Sequence, residues 1–268
     1  MTVKSQMLLF FTFHLLLFQS VFVSRLVEAR RHRWLRQARR KATNNESVEA
    51  SFNVVIVQDV DPESALKELA SIENVLGPSG PFDTERVAVL LHSTMSQRKI
   101  DPPLSLPCYF LNEDILTVEA QLRFKRTIDE VMDILCKVRE IISEMCNHQM
   151  DYRDIDNYLR GNHAKSSLIT SHFADVHESP GPTIVWSTST KAIFCAEDEL
   201  VSLKDDCMLE KALLLCLTVY YVKDITYPSA FAQTLGLVQS VLCKEESFPR
   251  CWANSKLLKI LDKLNSIL

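Results

Sequence analysis

Glycine is scarce in this chain of 268 residues, which contains only five. Loops that cradle phosphate groups need glycine, because only glycine lets the backbone approach a ligand closely or adopt left-handed conformations cheaply. The five glycines assemble none of the patterns GxGxxG, GxxxxGK[ST] or GxSxG. The sequence therefore gives no support to the common nucleotide-binding folds or to an α/β-hydrolase, and we predict no catalytic residue and no cofactor.

The eight cysteines never form a CxxC pair, so the common zinc-finger and dithiol redox motifs are absent. Cys136 and Cys216 fall inside apolar helical stretches, where a thiol packs as a small hydrophobic group. We predict no metal site. Cys243 and Cys251 are the best candidates for a disulfide if the body of the protein is lumenal.

Residues 7–23 form an uninterrupted segment without Asp, Glu, Lys or Arg, and eight basic residues follow it before residue 42. Seventeen residues are at the lower limit of what spans a bilayer. The basic C-terminal flank favours retention of the body in the cytoplasm, because positive charges resist translocation. We therefore predict an N-terminal membrane anchor at residues 7–23 with a cytoplasmic body.

Two alternatives stay open for this segment. The first is a signal peptide cleaved after Ala29, with N-glycosylation at Asn45 in the sequence Asn-Glu-Ser. Further processing near Arg39 or Arg40 would then release a secreted helical factor. The second alternative is an upstream extension that has no role in the mature protein.

Charge is distributed unevenly along the chain. The whole chain has 30 basic and 34 acidic residues, of which nine and one fall in residues 1–41. Residues 42–268 therefore contain 21 basic and 33 acidic residues, a net charge of −12. An acidic body excludes a broad nucleic-acid-binding surface on the main domain. The basic cluster itself fits a juxtamembrane segment or a nuclear-localisation or nucleic-acid patch, and its position after an apolar run favours the juxtamembrane role.

The pattern of apolar residues predicts a helix-dominated α+β fold, with long amphipathic helices packed around a short β-hairpin and few strands. Four regions are predicted: the N-terminal segment 1–41, a polar linker 42–51, a helix-rich region 52–180, and a hairpin with helices at 181–268. The last two could equally form one domain. Predicted elements are a strand at 52–57, a hairpin with strands at 183–187 and 191–195, and helices at 62–76, 84–93, 206–222, 228–242 and 254–268.

A heptad-like series gives the strongest helical signal in the chain. Its apolar residues recur at alternating spacings of four and three, as in a coiled coil. Apolar residues at the flanking positions widen this face beyond a two-stranded seam, which favours packing within a globular core. The series is Phe124, Ile128, Val131, Leu135, Val138, Ile142 and Met145.

Residues 147–179 are polar, and we predict a loop with scattered histidines. An enzyme with an unrecognised site would find its best acid–base groups in His172, Asp175, His177 and Glu178. Ordinary surface charge is the simpler interpretation, because no shared geometry is evident in their spacing.

The C-terminal third of the chain resembles a loose group of mostly uncharacterised vertebrate proteins, some labelled sterile alpha motif domain-containing protein 3-like. The residues Tyr220-Tyr221-Val222 and Ile225-Thr226-Tyr227-Pro228 carry most of the likeness. No sterile alpha motif domain is recognisable here. The resemblance implies an intracellular protein and supplies no site residues.

Together these observations predict a non-enzymatic interaction module, tethered to a membrane, that binds an as yet unidentified protein. The terminal helix 254–268 and the heptad helix are the predicted interaction surfaces, unless their apolar faces are buried in the core. The sequence does not define the oligomeric state.

Overall fold

A computed structural model describes residues 60–76, 83–103, 105–160, 166–196, 199–243 and 248–267. The chain divides into two compact units, Met1–Asn45 and Glu46–Leu268, and every described residue belongs to the second. The predicted anchor 7–23, Ala29, Asn45 and the predicted strand 52–57 lie outside the described residues.

Helices dominate the described residues, and four short strands form one mixed sheet, so the predicted α+β class is confirmed. The helices are α1 (Pro62–Leu76), α2 (Thr84–Ile100), α3 (Glu113–Phe124), α4 (Ile128–Cys146), α5 (Tyr152–Arg160), α6 (Leu209–Val222), α7 (Ala232–Leu242) and α8 (Ser255–Asn265). The strands are β1 (Ile169–Thr170), β2 (Thr183–Trp186), β3 (Lys191–Ala196) and β4 (Glu199–Ser202). Short 3₁₀ turns cover Cys108–Leu111, Phe173–Glu178 and Arg250–Trp252. None of the helices in these ranges is both long and apolar enough to cross a membrane.

Helix α6 lies at the centre of the core. Its apolar run is buried on all sides, and it packs against α3, α4 and α7 as well as β2 and β3. Asp205 and Asp206, at the predicted start of this helix, do not cap it. Both acids lie in the turn after β4, and α6 begins with Met208 in the N-cap position without a side-chain cap. Burial of the following apolar turns stabilises this helix start in place of a cap.

The heptad-like series is divided between two helices, which the sequence pattern did not predict. Phe124 ends α3, and Lys125 adopts a left-handed conformation with φ of 51°. Helix α4 then starts after Thr127, which forms a capping box with Glu130. The four central members, Val131 to Ile142, are buried, whereas Met145 is exposed. The apolar face of α4 therefore packs within the core of this chain.

Two helices differ from the predictions because polar residues line their buried faces. Helix α2 continues to Ile100 instead of ending at Ser93, since Thr94 donates a hydrogen bond to Leu90 O (2.7 Å) and Arg98 is buried against another helix. Helix α5 replaces part of the predicted loop 147–179. Its inward side chains are Tyr152, Ile155, Asp156 and Leu159.

The strands follow the order β1-β2-β3-β4, with β1 parallel to β2 and the remaining pairs antiparallel. The predicted hairpin is confirmed as β2 and β3, with Ile184 opposite Ile193. These two residues and Val201 of β4 face the hydrophobic core. The opposite face, which we call the outer face, includes Phe194 and its cross-strand partner Leu200.

The two C-terminal helices lie where the apolar pattern placed them, with shorter bounds. Helix α7 begins at Ala232 because Phe231 N–H and Ala232 N–H both donate to Pro228 O in a preceding turn. Helix α8 begins after Asn254, whose side chain accepts a hydrogen bond from Leu257 N–H (2.9 Å). Its predicted apolar face is buried in the core.

Candidate functional site

The outer face of the sheet carries an apolar cluster that remains accessible to solvent. Phe194 of β3 lies at its centre, and the ring centroids of Phe173 and His177 lie 6.3 and 6.0 Å from that of Phe194, both edge-on. Leu200 lies opposite Phe194 on β4. Phe173 is 42% exposed and Leu200 is 37% exposed. We call these four residues the aromatic patch.

Local sequence explains why the patch is exposed. Alternation in β3 directs Ile193 inward and Phe194 outward. The 3₁₀ turn Phe173–Glu178 packs against β1 and β2 and covers their outer side, with Val176 buried beneath it. Phe173, at the start of this turn, and Leu200 on β4 both remain partly exposed, so large apolar side chains meet solvent on this side of the sheet.

Strand β4 forms one edge of the sheet. Within the ranges that the structure describes, it pairs only with β3. The 3₁₀ turn Cys108–Leu111 packs against β4. The Glu199 carboxylate at the start of the strand accepts hydrogen bonds from Leu106 N–H (3.0 Å) and Lys223 Nζ (2.7 Å), and Lys204 N–H after its end donates to Glu113 Oε2 (2.6 Å). Leu200 and Ser202 are exposed.

Acidic residues flank the patch and the edge strand. Asp175 and Glu178 are exposed on the 3₁₀ turn that contributes Phe173 and His177. Asp205 and Asp206 are exposed directly after β4. The nearby Lys204 is itself paired with Asp114 at 2.6 Å. Exposed carboxylates therefore outnumber exposed amines on the 3₁₀ turn and in the segment just after β4.

The acid–base residues considered from the sequence all lie on or beside this 3₁₀ turn. His172, Asp175, His177 and Glu178 are exposed. Asp175 accepts a hydrogen bond from Thr170 Oγ1 (2.7 Å), and the ring of His177 packs against Phe194. No histidine–carboxylate ion pair occurs among the described residues, and no group of three or more His, Cys, Asp or Glu side chains there could hold a metal ion.

The most deeply buried charges form a network between α2 and α3. Glu119 is fully buried and accepts hydrogen bonds from Arg98 Nη1 (2.9 Å) and Arg123 Nε (2.5 Å). Burial by itself would raise the pKa of Glu119, but the charges of Arg123 and Arg98 and their hydrogen bonds outweigh it, so this pKa lies below its ordinary value. Arg123 also donates to Tyr221 O of α6 (3.1 Å). This network therefore joins three helices, α2, α3 and α6.

A second buried carboxylate also joins separate elements. Asp156 of α5 accepts hydrogen bonds from Thr234 Oγ1 (2.7 Å), Ser167 Oγ (2.7 Å) and Leu168 N–H (3.2 Å). Burial raises the pKa of Asp156, and the three hydrogen bonds and the charge of Arg160 partly counter this effect. The sequence analysis did not identify Asp156. Its position beside Ile155, on the inward face of α5, was the signal that could have indicated its burial.

The buried thiols are poor nucleophiles. Burial raises the pKa of Cys195 to about 12 and of Cys207 to about 11, and it raises the pKa of Cys216 as well. Cys251 is exposed, and Cys243 is half-buried with its Sγ 3.9 Å from the hydroxyl of Tyr221. The Cys243–Cys251 disulfide stays a prediction.

The two predicted interaction helices use their apolar faces internally. Leu135 and Val138 of α4 and Leu257 and Leu264 of α8 are almost fully buried. Sequence reasoning placed the hairpin correctly but missed the aromatic patch. The alternation around Phe194 marks an outward side chain only once the buried face of the sheet is known.

Three of the seven residues behind the family resemblance, Tyr220, Val222 and Tyr227, are buried in the core. The rings of Tyr220 and Tyr227 are buried and lie edge-on with centroids 5.3 Å apart, and Tyr220 donates a hydrogen bond to Pro182 O (3.1 Å). The resemblance remains a prediction, and the contacts of these tyrosines contribute to packing of the core. Comparison of the chain with known proteins found no matching family model, no matching curated protein and no matching solved structure.

Proposed function

We propose that this protein is a non-enzymatic interaction module whose aromatic patch binds a protein partner. The observation that carries the proposal is the exposure of Phe173 and Leu200 on either side of Phe194. Exposed apolar side chains grouped in this way are typical of interaction sites, because covering them removes apolar surface from water. The catalytic alternative has weaker support, since the titratable groups nearby face solvent.

The charge around the patch defines the chemistry of the partner. Asp175, Glu178, Asp205 and Asp206 are exposed near the 3₁₀ turn and β4, and the region 42–268 has a net charge of −12. A segment that combines apolar side chains with Lys or Arg would be attracted to this surface, and an acidic segment would be repelled. We infer a partner segment with an apolar centre and basic flanks.

A peptide-binding experiment tests this proposal. Two peptide sets with the same apolar centre, one flanked by lysine and one by glutamate, are titrated against the full chain by fluorescence anisotropy. Binding of the lysine-flanked set should weaken at least about tenfold with Leu200→Ser or Phe173→Ser and should fall with increasing salt. Met208→Ser provides the matched control, because Met208 is another exposed apolar residue outside the patch. Equal binding of both sets, or equal effects of all three substitutions, would refute the proposal.

We also propose that residues 7–23 tether the protein to a membrane, with the body on the cytoplasmic side. The support is the uncharged segment followed by eight basic residues. Translation of a C-terminally tagged chain with microsomes tests this topology. The tag should be digested by added protease, the product should resist carbonate extraction, and Asn45 should carry no glycan. A protected tag with a glycan at Asn45 would instead support the secreted alternative.

A further inference from the structure

We propose that the partner segment binds through an arginine whose guanidinium group lies against the ring of Phe173 and the carboxylate of Asp175. This inference rests on the proposed function and identifies one of the basic residues that flank the apolar centre of the partner. Cations are attracted to the face of an aromatic ring because the electron density there is negative, and arginine makes such contacts more often than lysine.

The rings of the aromatic patch contact one another edge-on. The ring planes of Phe173 and His177 lie at 85° and 74° to that of Phe194. In an edge-on pair, one ring places its edge against the other, so the two faces do not cover each other as they do in a stack. Phe173 is 42% exposed, and a ligand that approaches from solvent therefore meets aromatic surface at this residue.

The chain places its own cations over other rings. Lys191 Nζ lies 4.9 Å from the ring centroid of Trp186, and Lys256 Nζ lies 4.4 Å from that of Tyr158. In the ranges that the structure describes, no Lys or Arg side chain lies over a ring of the aromatic patch. The cation that would complete such a contact at the patch must therefore come from a partner.

Two carboxylates lie on the turn that contributes Phe173. Residues three apart eclipse one another in a 3₁₀ helix, so Asp175 and Glu178 share one side of this turn. Asp175 follows Phe173 by two residues, a rise of about 4 Å along the helix axis. Neither carboxylate forms an ion pair with a described residue. Asp175 accepts a hydrogen bond from Thr170 Oγ1 (2.7 Å), and a carboxylate has further lone pairs for a second donor.

Arginine fits this arrangement better than lysine. Its guanidinium group is planar and weakly hydrated, so its face can stack on Phe173 while its N–H groups donate to Asp175. The ammonium group of lysine is compact and strongly hydrated, which opposes close contact with a ring. The negative charge around the patch attracts both cations alike. A preference for arginine over lysine therefore measures the contact with the ring and the carboxylate.

Peptide exchange tests the arginine contact. One flanking lysine of the lysine-flanked peptide is replaced by arginine, citrulline or norleucine, at each end in turn, and binding to the full chain is measured by fluorescence anisotropy. At one end, arginine should bind at least about threefold more tightly than lysine, and citrulline, its uncharged analogue, should bind less tightly than lysine. Equal affinities for arginine and lysine at both ends, or for arginine and citrulline, would overturn the inference.

Substitution on the protein side identifies the ring. Phe173→Leu retains an apolar side chain and removes the aromatic face, so the preference for arginine over lysine should disappear. The control Met208→Leu changes another exposed apolar residue outside the patch and should retain the preference. An unchanged preference in Phe173→Leu would overturn the proposed contact.

Fluorination of the same ring separates electrostatic attraction from packing. Phenylalanine with one, two or three fluorine atoms, incorporated at position 173, has a progressively less negative ring face. Affinity for the arginine peptide should fall stepwise along this series, whereas affinity for the norleucine peptide should not. Parallel changes for the two peptides would overturn a contact between the cation and the ring.

The two proposals fail in different ways. Loss of binding with Leu200→Ser and Phe173→Ser, combined with equal affinities for arginine and lysine peptides, retains the patch as the binding surface and eliminates the arginine contact. Binding that is insensitive to both serine substitutions eliminates the proposed function itself, and the arginine contact with it.

Discussion

Gly236 of α7 lies directly against the ring of Phe248. A Cβ atom built at position 236 would lie 2.6 Å from Cγ of Phe248 and under 3 Å from both adjacent ring carbons. No real side chain tolerates such distances, so this glycine is required for close approach of the segment that leads to α8. Phe248 is itself buried and packs edge-on against Trp252.

We therefore expect Gly236→Ala to destabilise the fold by about 1–3 kcal/mol, despite the better helix propensity of alanine, because the methyl group overpacks a rigid ring. Urea unfolding measures this change. The double variant Gly236→Ala/Phe248→Leu should lose less stability than the sum of the two single variants, since a smaller side chain relieves the clash. Simple additivity would show that the two sites are independent.

Glu119 and its arginines should dominate the electrostatic part of stability. Glu119→Gln leaves Arg98 and Arg123 buried without a full countercharge, and we expect a loss of about 3–5 kcal/mol in chemical unfolding. Glu68→Gln is the matched control: its partner Arg86 and Glu68 are both more than a third exposed, and the expected loss is below about 1 kcal/mol.

The sign of the pH dependence follows from the lowered pKa of Glu119. Its contribution is complete above the ordinary glutamate pKa of 4.5 and is lost as the pH falls through the lower folded value. The stability difference between wild type and Glu119→Gln should therefore shrink under acid conditions. A difference that stays constant would contradict the assigned pKa direction.

Sequence periodicity identified the elements whose buried faces are apolar. The hairpin around Ile184 and Ile193, helix α6 and helix α8 were predictable because apolar residues line their inward sides. Helix α5 and the last two turns of α2 were not, since Asp156, Thr94 and Arg98 are buried only through partners distant in the sequence. A pattern of hydrophobicity contains no information about such partners.

The candidate site shows the same limit in reverse. His172 and His177 were candidates because an imidazole can act as an acid or a base. Both are exposed, and the ring of His177 packs against Phe194. From the sequence alone, the outward Phe194 cannot be distinguished from an apolar residue of the core. Its significance depends on which face of the sheet the helices cover, and this depends on the tertiary structure.

Core truncations in α4 should distinguish the buried face from the exposed end of the heptad-like series. Leu135 is fully buried and Met145 is 39% exposed. Leu135→Ala should cost about 2–4 kcal/mol because it leaves a cavity. Met145→Ala should cost below about 1 kcal/mol, because an exposed side chain leaves no cavity. Equal losses in urea unfolding would contradict the difference in burial between Leu135 and Met145.

Thiol accessibility should follow burial. With the protein folded, Cys251 should react with a chromogenic disulfide reagent within minutes if its thiol is reduced, whereas Cys195 and Cys216 should react only after denaturation. Mass spectrometry of the labelled peptides identifies each site. Protection of Cys251 together with Cys243 in the non-reduced protein, and release of both by a reductant, would establish the predicted disulfide. Fast native labelling of Cys216 would contradict its burial.

Asp156 should produce a pH dependence opposite to that of Glu119. Because its folded pKa is raised above the ordinary value of 3.8, the folded state binds the proton more tightly than the unfolded state. Its contribution to stability is therefore complete below pH 3.8 and decreases as the pH rises through the folded pKa. Asp156→Asn removes this titration, so the stability of wild type relative to this variant should fall as the pH rises across that interval.

The hydrogen bond from Thr234 provides the internal control for Asp156. Thr234→Val removes a donor that lowers the pKa of the carboxyl group, so the decrease in stability should extend to higher pH than in wild type. Urea unfolding at a series of pH values measures all three proteins. A wild-type curve parallel to that of Asp156→Asn would mean that Asp156 titrates alike in the folded and unfolded states, and the burial that raises its pKa would then have to be fully offset by its three hydrogen bonds.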